Sequence, residues 1–184
     1  MFRLAAWLLA ATSIPLFAQL ECKCDVSHPE VLKARECSLC AEIEKQPAGV
    51  PVIFLKDINP RKANRWLALP RAHSTGRHNL EDLAAEQRNA LWSGAVEKAK
   101  SLWGDRWAIA MNGHRVRTQC HMHVHIGRLL EGVETANFVV VDSTAKIPLP
   151  GDFGLWIHPV LDGPEKGKLH VHLGEQVTET VLLR

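Results

Sequence analysis

The chain has 184 residues, of which 46% are hydrophobic, so it is long enough for one well-packed domain and too short to favour two. It contains 22 basic and 20 acidic residues, which leave a formal net charge of +2. This balance lacks the strong basic excess of nucleic-acid-binding domains, and we expect no nucleic acid partner.

The first 18 residues, MFRLAAWLLAATSIPLFA, have the features of a secretory signal peptide. Arg3 precedes an apolar run that is short for a bilayer, and the run ends at the small residue Ala18. The alternatives are a membrane anchor or a buried first helix, and Pro15 and the charged, cysteine-rich segment that follows disfavour both. We therefore expect residues 1–18 to be removed and the mature protein to be exported, to the periplasm or the extracellular space.

Four cysteines come next in the chain, in one CxC pair and one CxxC pair, and a fifth lies further on. The five are Cys22, Cys24, Cys37, Cys40 and Cys120. In an exported protein such residues commonly form disulfides, whereas the same spacings also suit a tetrahedral zinc site. The odd number leaves at least one thiol without an internal disulfide partner, and the sequence alone leaves both interpretations open.

The segment after the CxC pair predicts a helix followed by two strands. PEVLKARECSLCAEIEK, residues 29–45, reads as a helix that carries the CxxC pair, and PAGV ends it. Residues 50–55 and 65–70 are short apolar runs with a turn-rich loop between them, which predicts two strands. A longer helix begins near Asn79, keeps apolar residues at helical spacing, and ends at Gly104.

Strands are predicted for most of the remaining chain. Residues 107–112, 120–126 and 137–142 read as antiparallel neighbours. After a loop rich in Pro and Gly, the runs LWIHPVL, KLHVHL and ETVLLR predict short strands of a C-terminal extension, residues 143–184. The predicted fold is therefore an α+β domain over residues 19–142, with an antiparallel sheet, a long packed helix and a CxxC-bearing N-terminal helix.

Residues 117–127, RTQCHMHVHIG, contain three histidines at alternate positions, His121, His123 and His125. Because side chains alternate across a β-strand, we predict that the three imidazoles share one face, with stems about 6.6–7 Å apart. The apolar residues between them would then face the core. The alternative is a solvated polar face, but Thr, Lys, Glu and Ser usually fill such faces, so the triplet favours a chemical role.

The HMHVHI run resembles the His-φ-His-φ-His-φ-φ signature of the histidine triad (HIT) superfamily of nucleotide hydrolases and transferases. CSLC resembles the opening CxxC of that family, FLKDINPRKANRWLALPRAH resembles its aspartate, proline and LVIPKxH segment, and the long helix falls where the family has its main helix. Together these segments cover roughly residues 37–141 in the right order. NGHRVRTQCHMHVHI is also similar to the CDP-diacylglycerol pyrophosphatase branch, in which an Arg-Thr-Gln run directly precedes the histidine motif.

The resemblance implies a role for each matching polar residue. In HIT enzymes the middle histidine attacks the phosphorus of a nucleotide, and the matching residue is His123; a neutral imidazole is a competent nucleophile when its other nitrogen donates a hydrogen bond. His125 matches a supporting histidine that contacts phosphate oxygens. Thr118 matches a hydroxyl residue that assists the leaving group, and Asn112 a polar residue that orients the phosphate or the histidines.

Three arginines are the candidates for binding the substrate phosphates. Arg115 and Arg117 lie just before the triplet, where positive charge would stabilise phosphate, although loop solubility is the competing explanation. Arg65 stands where many family members carry a histidine before the LVIP strand. An arginine cannot act there as a neutral base but can bind phosphate through two donors, so the substrate is expected to differ from a small nucleoside conjugate.

The resemblance also implies a structural zinc ion. In zinc-bearing relatives the ligands are the CxxC pair, the first histidine of the triplet and the histidine that closes the IPKxH segment, which correspond here to Cys37, Cys40, His121 and His73. Two thiolates and two imidazoles suit a closed tetrahedral zinc site. The competing arrangements are an all-thiolate site from the first four cysteines, or disulfides among them.

Three further histidines, His158, His170 and His172, lie in the C-terminal extension, outside the resemblance. They are candidates for a second metal site or for approach to the first site. KLHVHL is short and lacks other ligands, so a surface or edge strand is the favoured interpretation.

Two functions are therefore expected from the sequence. The first is an exported HIT-type hydrolase that cleaves a phosphoanhydride bond of a nucleotide or nucleotide-lipid substrate, such as a CDP-lipid at a membrane surface, through a nucleotidyl-histidine intermediate. The alternative is an exported zinc-binding protein without catalytic activity, suggested by ten histidines and five cysteines. The resemblance also implies a homodimer, because family members often dimerise.

Overall fold

The computed structural model describes residues 20–72 and 78–184. The predicted signal peptide, residues 1–18, and the predicted zinc ligand His73 lie outside the described residues. The strands, in chain order, are β1 (Val52–Lys56), β2 (Trp66–Pro70), β3 (Trp107–Met111), β4 (Val124–Arg128), β5 (Phe138–Val141), β6 (Gly154–Pro159) and β7 (Leu169–Glu175).

These strands form one sheet in the order β1-β2-β4-β3-β6-β7-β5, and every pairing is antiparallel. The antiparallel α+β class that we predicted is confirmed. The predicted neighbours β3 and β4 do pair, but β5 pairs with β7 at the edge of the sheet.

Two α-helices accompany the sheet in the described part of the chain, α1 (Ser38–Glu44) and α2 (Ala85–Trp103). The predicted helix over residues 29–45 is reduced to α1 and two preceding 3-10 turns, Val31–Lys33 and Arg35–Cys37. The long predicted helix is α2, which follows a 3-10 turn where the backbone N–H of Asn79 donates to the Asp82 carboxylate at 2.8 Å. The long packed helix is thus confirmed.

Helix α2 covers one face of the sheet. Its buried residues Leu91, Trp92 and Ala95 belong to the main apolar core, together with alternate residues of the central strands. On β4 these are Val124 and Ile126, so His125 between them faces away from α2. The period-2 pattern of the sequence therefore assigns the histidine to the opposite face.

That opposite face is covered by two different segments. Helix α1 packs over β1 and β2, where Ile43 lies against Ile53 and Leu69. The C-terminal segment, which we define as residues 176–184, lies over the central strands, and its Leu182 packs on Ala110. The face that carries His125 is therefore enclosed by residues from both ends of the described chain.

The C-terminal region is part of the sheet. Strand β6 pairs with β3, and the alternate residues Leu155, Ile157 and Val171 are buried in the core under α2. The predicted last strand, ETVLLR, is instead a 3-10 turn, Glu179–Val181, followed by a single bridge between Leu129 and Leu182. Residues 143–184 thus supply two strands and the cover of the histidine face.

Candidate functional site

The histidine triplet enters strand β4 from a loop. Only His125 lies on the strand, where it pairs with Ala110 of β3 and Leu67 of β2, whereas His121 and His123 precede it. The predicted strand over residues 120–126 therefore begins later than expected, at Val124. All three imidazoles are nevertheless buried, which a solvated polar face would not produce.

His123 has the hydrogen bond that a nucleophilic imidazole requires. Its Nδ1 lies 2.9 Å from the backbone carbonyl oxygen of His121, and since a carbonyl only accepts, Nδ1 carries the proton. The Nε2 atom of a neutral His123 then holds a free electron pair. His125 lies beside it, with ring centroids 5.0 Å apart and the rings nearly perpendicular.

The environment keeps both imidazoles neutral. Burial lowers the pKa of His123, and the nearby Arg117 and Lys62 charges add to that effect against the hydrogen bond to His121. Burial and the neighbouring His123, Lys62 and Arg65 lower the pKa of His125 well below its ordinary value, against the attraction of Glu179. A neutral imidazole pair at neutral pH is the state that nucleophilic attack needs.

Glu179 is a charged residue of this site that the sequence did not reveal. Its Oε2 atom pairs with Lys62 and lies 3.0 Å from Arg65 Nη1 and 3.7 Å from His125 Nε2. Burial opposes ionisation, but His125, Lys62 and Arg65 outweigh it and lower the pKa of Glu179 to about 2. The carboxylate is therefore ionised and links the C-terminal segment to the histidine pair.

Arg65 is directed toward the C-terminal segment. Besides its ion pair with Glu179, its Nε donates to Leu183 O at 3.2 Å and its Nη2 to Leu182 O at 2.5 Å. The side chain is only 2% exposed. A phosphate contact from Arg65 would require these hydrogen bonds to break. Arg65 therefore holds residues 179–183 in place.

Of the other two predicted arginines, one is buried and one is exposed to solvent. Arg117 is buried and donates from Nη1 to His78 O at 2.9 Å and from Nη2 to Asn79 Oδ1 at 2.6 Å. The positive charge of Arg117 lowers the pKa of His123. Arg115 is exposed, and its backbone N–H donates to Gln176 Oε1 at 3.3 Å.

Asn112 and Thr118 lie on either side of the turn that precedes the triplet. Asn112 is buried, and its Oδ1 accepts from the backbone N–H groups of Thr178 at 2.9 Å and Glu179 at 3.1 Å. It therefore positions Glu179 beside His125. Thr118 is exposed, so its hydroxyl is open to solvent.

The cysteines form two disulfides in the structure. Cys22 is bonded to Cys120, 98 residues away, and Cys24 to Cys37, 13 residues away. Cys40 is a buried free thiol, and burial raises its pKa to about 11. This is the disulfide alternative of the sequence analysis, but with Cys120 in place of Cys40.

The disulfide at Cys37 corrects the predicted zinc site. A sulfur in a disulfide is not a thiolate, so Cys37 and Cys40 do not form the pair of ligands that the resemblance implied. His121 Nδ1 lies 2.8 Å from Met122 O, and its ring meets that of His78 edge-on at 4.7 Å. The donors present among the described residues do not fit the implied Cys₂His₂ set.

Groups that have the donors for a metal are present elsewhere. Cys24, Cys37 and Cys120 lie close together, although all three are in disulfides, and a second group combines Glu134 with the three C-terminal histidines. The three C-terminal histidines were already candidates for a second metal site, and the structure adds Glu134 to them.

Comparison with known proteins finds no matching family model and no matching curated protein. Among residues 20–72 and 78–184, no helix is both long and apolar enough to cross a membrane. The two disulfides are typical of an oxidising, exported environment.

Lys62 and Glu179 are two further candidate site residues that the sequence motifs did not predict. They lie 117 positions apart in the chain and form an ion pair beside His125. Lys62 lies in the segment that resembles the family's proline segment but was not assigned a role there, and a lysine in a turn or a glutamate such as Glu179 in a polar run is usually solvated. Only the docking of the C-terminal segment onto the sheet reveals them.

Proposed function

We propose that this protein is an exported HIT-type hydrolase that cleaves a phosphoanhydride bond of a nucleotide conjugate, with His123 as the nucleophile. The observation that carries this proposal is the 2.9 Å hydrogen bond from His123 Nδ1 to the His121 carbonyl. It leaves an electron pair on Nε2 of an imidazole whose pKa is lowered by burial.

The reaction takes place in two displacements. In the first, His123 Nε2 attacks the phosphorus of the nucleotidyl group; the N–P bond forms, the anhydride P–O bond breaks, and the leaving phosphate departs with the bond electrons. In the second, a water oxygen attacks the same phosphorus and the N–P bond breaks. The products are a nucleoside monophosphate and a free histidine, and the water supplies one proton to solvent.

Positive charge beside His123 supports the same chemistry. The charges of Arg117 and Lys62 both act on this imidazole, and they would stabilise the negative oxygens of the pentavalent phosphorus. Thr118 is exposed one residue after Arg117 and remains the proposed donor to the leaving group, with Arg115 as a second, solvent-exposed phosphate contact. We assign Arg65 to positioning of the C-terminal segment.

A CDP-lipid is the sharpest substrate candidate. The support is the Arg-Thr-Gln run before the histidines, which is similar to CDP-diacylglycerol pyrophosphatases, together with the disulfides expected of an exported protein. On this proposal the leaving group is phosphatidate and the nucleotide product is CMP. The substrate would be met at a membrane surface.

A substrate panel tests the proposal. Mature protein is incubated with CDP-diacylglycerol in mixed micelles, a nucleoside phosphoramidate and a dinucleoside polyphosphate, and nucleotide release is measured for the wild type and for His123→Ala. We expect turnover by the wild type and a loss of roughly 10⁴-fold or more in the variant, as for removal of other enzyme nucleophiles. His28→Ala is the matched control, because His28 is exposed to solvent and far from His123 in the sequence; this variant should retain full activity.

Trapping the intermediate tests the covalent step separately. With substrate labelled in the nucleotidyl phosphate, rapid acid-free quenching should leave label on the wild type and on His28→Ala, and none on His123→Ala. Equally low turnover by the wild type and His123→Ala on every substrate, without any adduct, would refute the hydrolase.

The alternative function is an exported zinc-binding protein without catalytic activity. It is favoured by the group of Glu134 and three histidines on the C-terminal strands. The substrate panel separates the two functions, because a protein without catalytic activity would show no difference between wild type and His123→Ala whether or not it binds zinc.

A further inference from the structure

A second group of histidines lies on the same face of the sheet as His125. His158 of β6 and His170 of β7 are directly paired in register, and His172 follows two residues on. From His125 on β4 to His172 on β7 is three strand spacings, or about 14 Å, so this group is separate from the nucleophile.

Glu134 completes the group. It belongs to the connection between β4 and β5 and brings a carboxylate to the three imidazoles, with its side chain 48% exposed. KLHVHL by itself lacks such a ligand, which is why the sequence favoured a plain edge strand. The fold supplies the fourth donor from a segment 24 residues before His158.

The donor atoms of these four residues lie close to metal-site spacing. His158 Nε2 lies 3.2 Å from His172 Nε2 and 3.0 Å from Glu134 Oε2, and His170 Nδ1 lies 2.9 Å from Glu134 Oε1. All four ligand atoms lie within 4.8 Å of one another. In a tetrahedral zinc site with bonds of about 2.0–2.1 Å, donor atoms are about 3.3–3.4 Å apart.

The hydrogen bonds around His158 indicate a cation. Its Nδ1 lies 3.1 Å from Pro159 O, and because a carbonyl only accepts, this nitrogen donates. A neutral His158 then directs the electron pair of Nε2 at a carboxylate oxygen of Glu134, 3.0 Å away. Two electron-rich atoms at this distance repel each other unless a proton or a metal ion lies between them.

Outer contacts hold the rings in place. His172 Nδ1 is 2.9 Å from Thr135 Oγ1, and its ring stacks on Trp156 with centroids 3.6 Å apart. His170 stacks on Phe138 at 4.1 Å. Histidines that bind metals usually have a hydrogen-bond partner on the second ring nitrogen and a fixed ring plane.

We propose that Glu134, His158, His170 and His172 form a binding site for a divalent transition metal, with Zn²⁺ as the ion to test first. Three imidazoles and one carboxylate are a ligand set that zinc commonly takes. The bound ion would clamp the connection between β4 and β5 onto the β6–β7 hairpin. This site is independent of the proposed hydrolysis at His123.

An entry path adjoins the site. A cavity of about 250 Å³ is bordered by Glu134 and His158 and is further lined by Arg106, Leu129 and Leu161. It is large enough for several waters, so a hydrated ion can approach two of the four ligands from it.

Zinc titration of the intact mature protein tests the site. Protein freed of metal with EDTA and then desalted is titrated with Zn²⁺ against a chromophoric chelator. We expect one ion per chain for the wild type, and a dissociation constant at least roughly 10-fold higher for Glu134→Gln and for His170→Ala. Saturating zinc should also raise the Tm of the wild type by roughly 5 °C.

Matched controls separate this site from others. Glu131→Gln removes an exposed carboxylate three residues from Glu134, and Cys40→Ser removes the free thiol; both should bind zinc as the wild type does. Co²⁺ bound at the site should show tetrahedral visible bands without thiolate charge-transfer absorption. No zinc uptake at micromolar concentration, equal affinity in the wild type, Glu134→Gln and His170→Ala, or a cobalt-thiolate spectrum would each overturn the proposal.

Discussion

Glu179→Gln is the most informative single substitution for the architecture of the site, because it removes one charge and keeps the shape. Two positive partners, Lys62 and Arg65, face the same carboxylate oxygen, and the neutral His125 lies 3.7 Å from it. In the variant Arg65 keeps its bonds to the backbone but loses its counter-charge while it is buried. A buried charge without a partner is strongly destabilising.

The magnitude follows from the pKa of Glu179, which is lowered from 4.5 to about 2. At 1.36 kcal/mol per pKa unit, the whole shift corresponds to about 3 kcal/mol of folding free energy, and since the part due to His125 is absent while that imidazole is neutral, the contribution at pH 7 is about 2 kcal/mol. Because the folded-state pKa is the lower one, this stability is fully present above about pH 4.5. It is lost as the pH falls toward about 2.

Urea unfolding followed by circular dichroism, repeated between about pH 3 and 7, measures the effect. At pH 7 we expect Glu179→Gln to lower the free energy of unfolding by about 2 kcal/mol, and the deficit to shrink steadily below about pH 4.5. Glu175→Gln, four residues earlier, is the matched control and should change stability by less than about 0.5 kcal/mol. A deficit that does not change with pH, or one shared by both variants, would show that the carboxylate charge is not the cause.

Further predictions concern the disulfides, the nucleophile and one glycine. Replacing Cys22 and Cys120 by serine removes a disulfide that spans 98 residues, and we expect urea unfolding to show a loss of about 4–5 kcal/mol; an unchanged free energy of unfolding would contradict this pairing. Because the pKa of His123 is lowered, the turnover rate should stay constant as the pH falls through 6.5 and decrease only in more acid buffer; a midpoint above 6.5 would contradict a buried neutral nucleophile. At Gly154 an added Cβ would lie 2.8 Å from the backbone nitrogen of Gly113, so Gly154→Ala should lower the free energy of unfolding by more than roughly 2 kcal/mol, whereas an unchanged Tm would mean that β6 can shift.

The secondary structure that depends on local pattern was predictable. Helical spacing of apolar residues from Asn79 to Gly104 identified α2, and the alternation around His125 correctly separated the core side of β4 from the other side. Boundaries were less accurate, because the first part of the triplet is held by contacts to other segments and not by strand pairing. Local spacing does not report such contacts.

The cysteines show where local pattern misleads. CxC and CxxC are each compatible with a shared metal, but the fold instead brings Cys120 to Cys22 and leaves Cys40 as a free thiol. Which sulfurs meet depends on how the N-terminal segment crosses the loop before β4. That crossing is a property of packing between segments far apart in sequence.

By itself, the sequence determined the α+β class, the long helix, the buried face of the central strands and the three histidines proposed as the site. Only the tertiary structure decided their partners: Glu179 beside His125, and Glu134 beside His158. The physical reason is that periodic burial is written into neighbouring residues, whereas an ion pair or a ligand set needs side chains from distant segments, whose distances only the packed sheet determines.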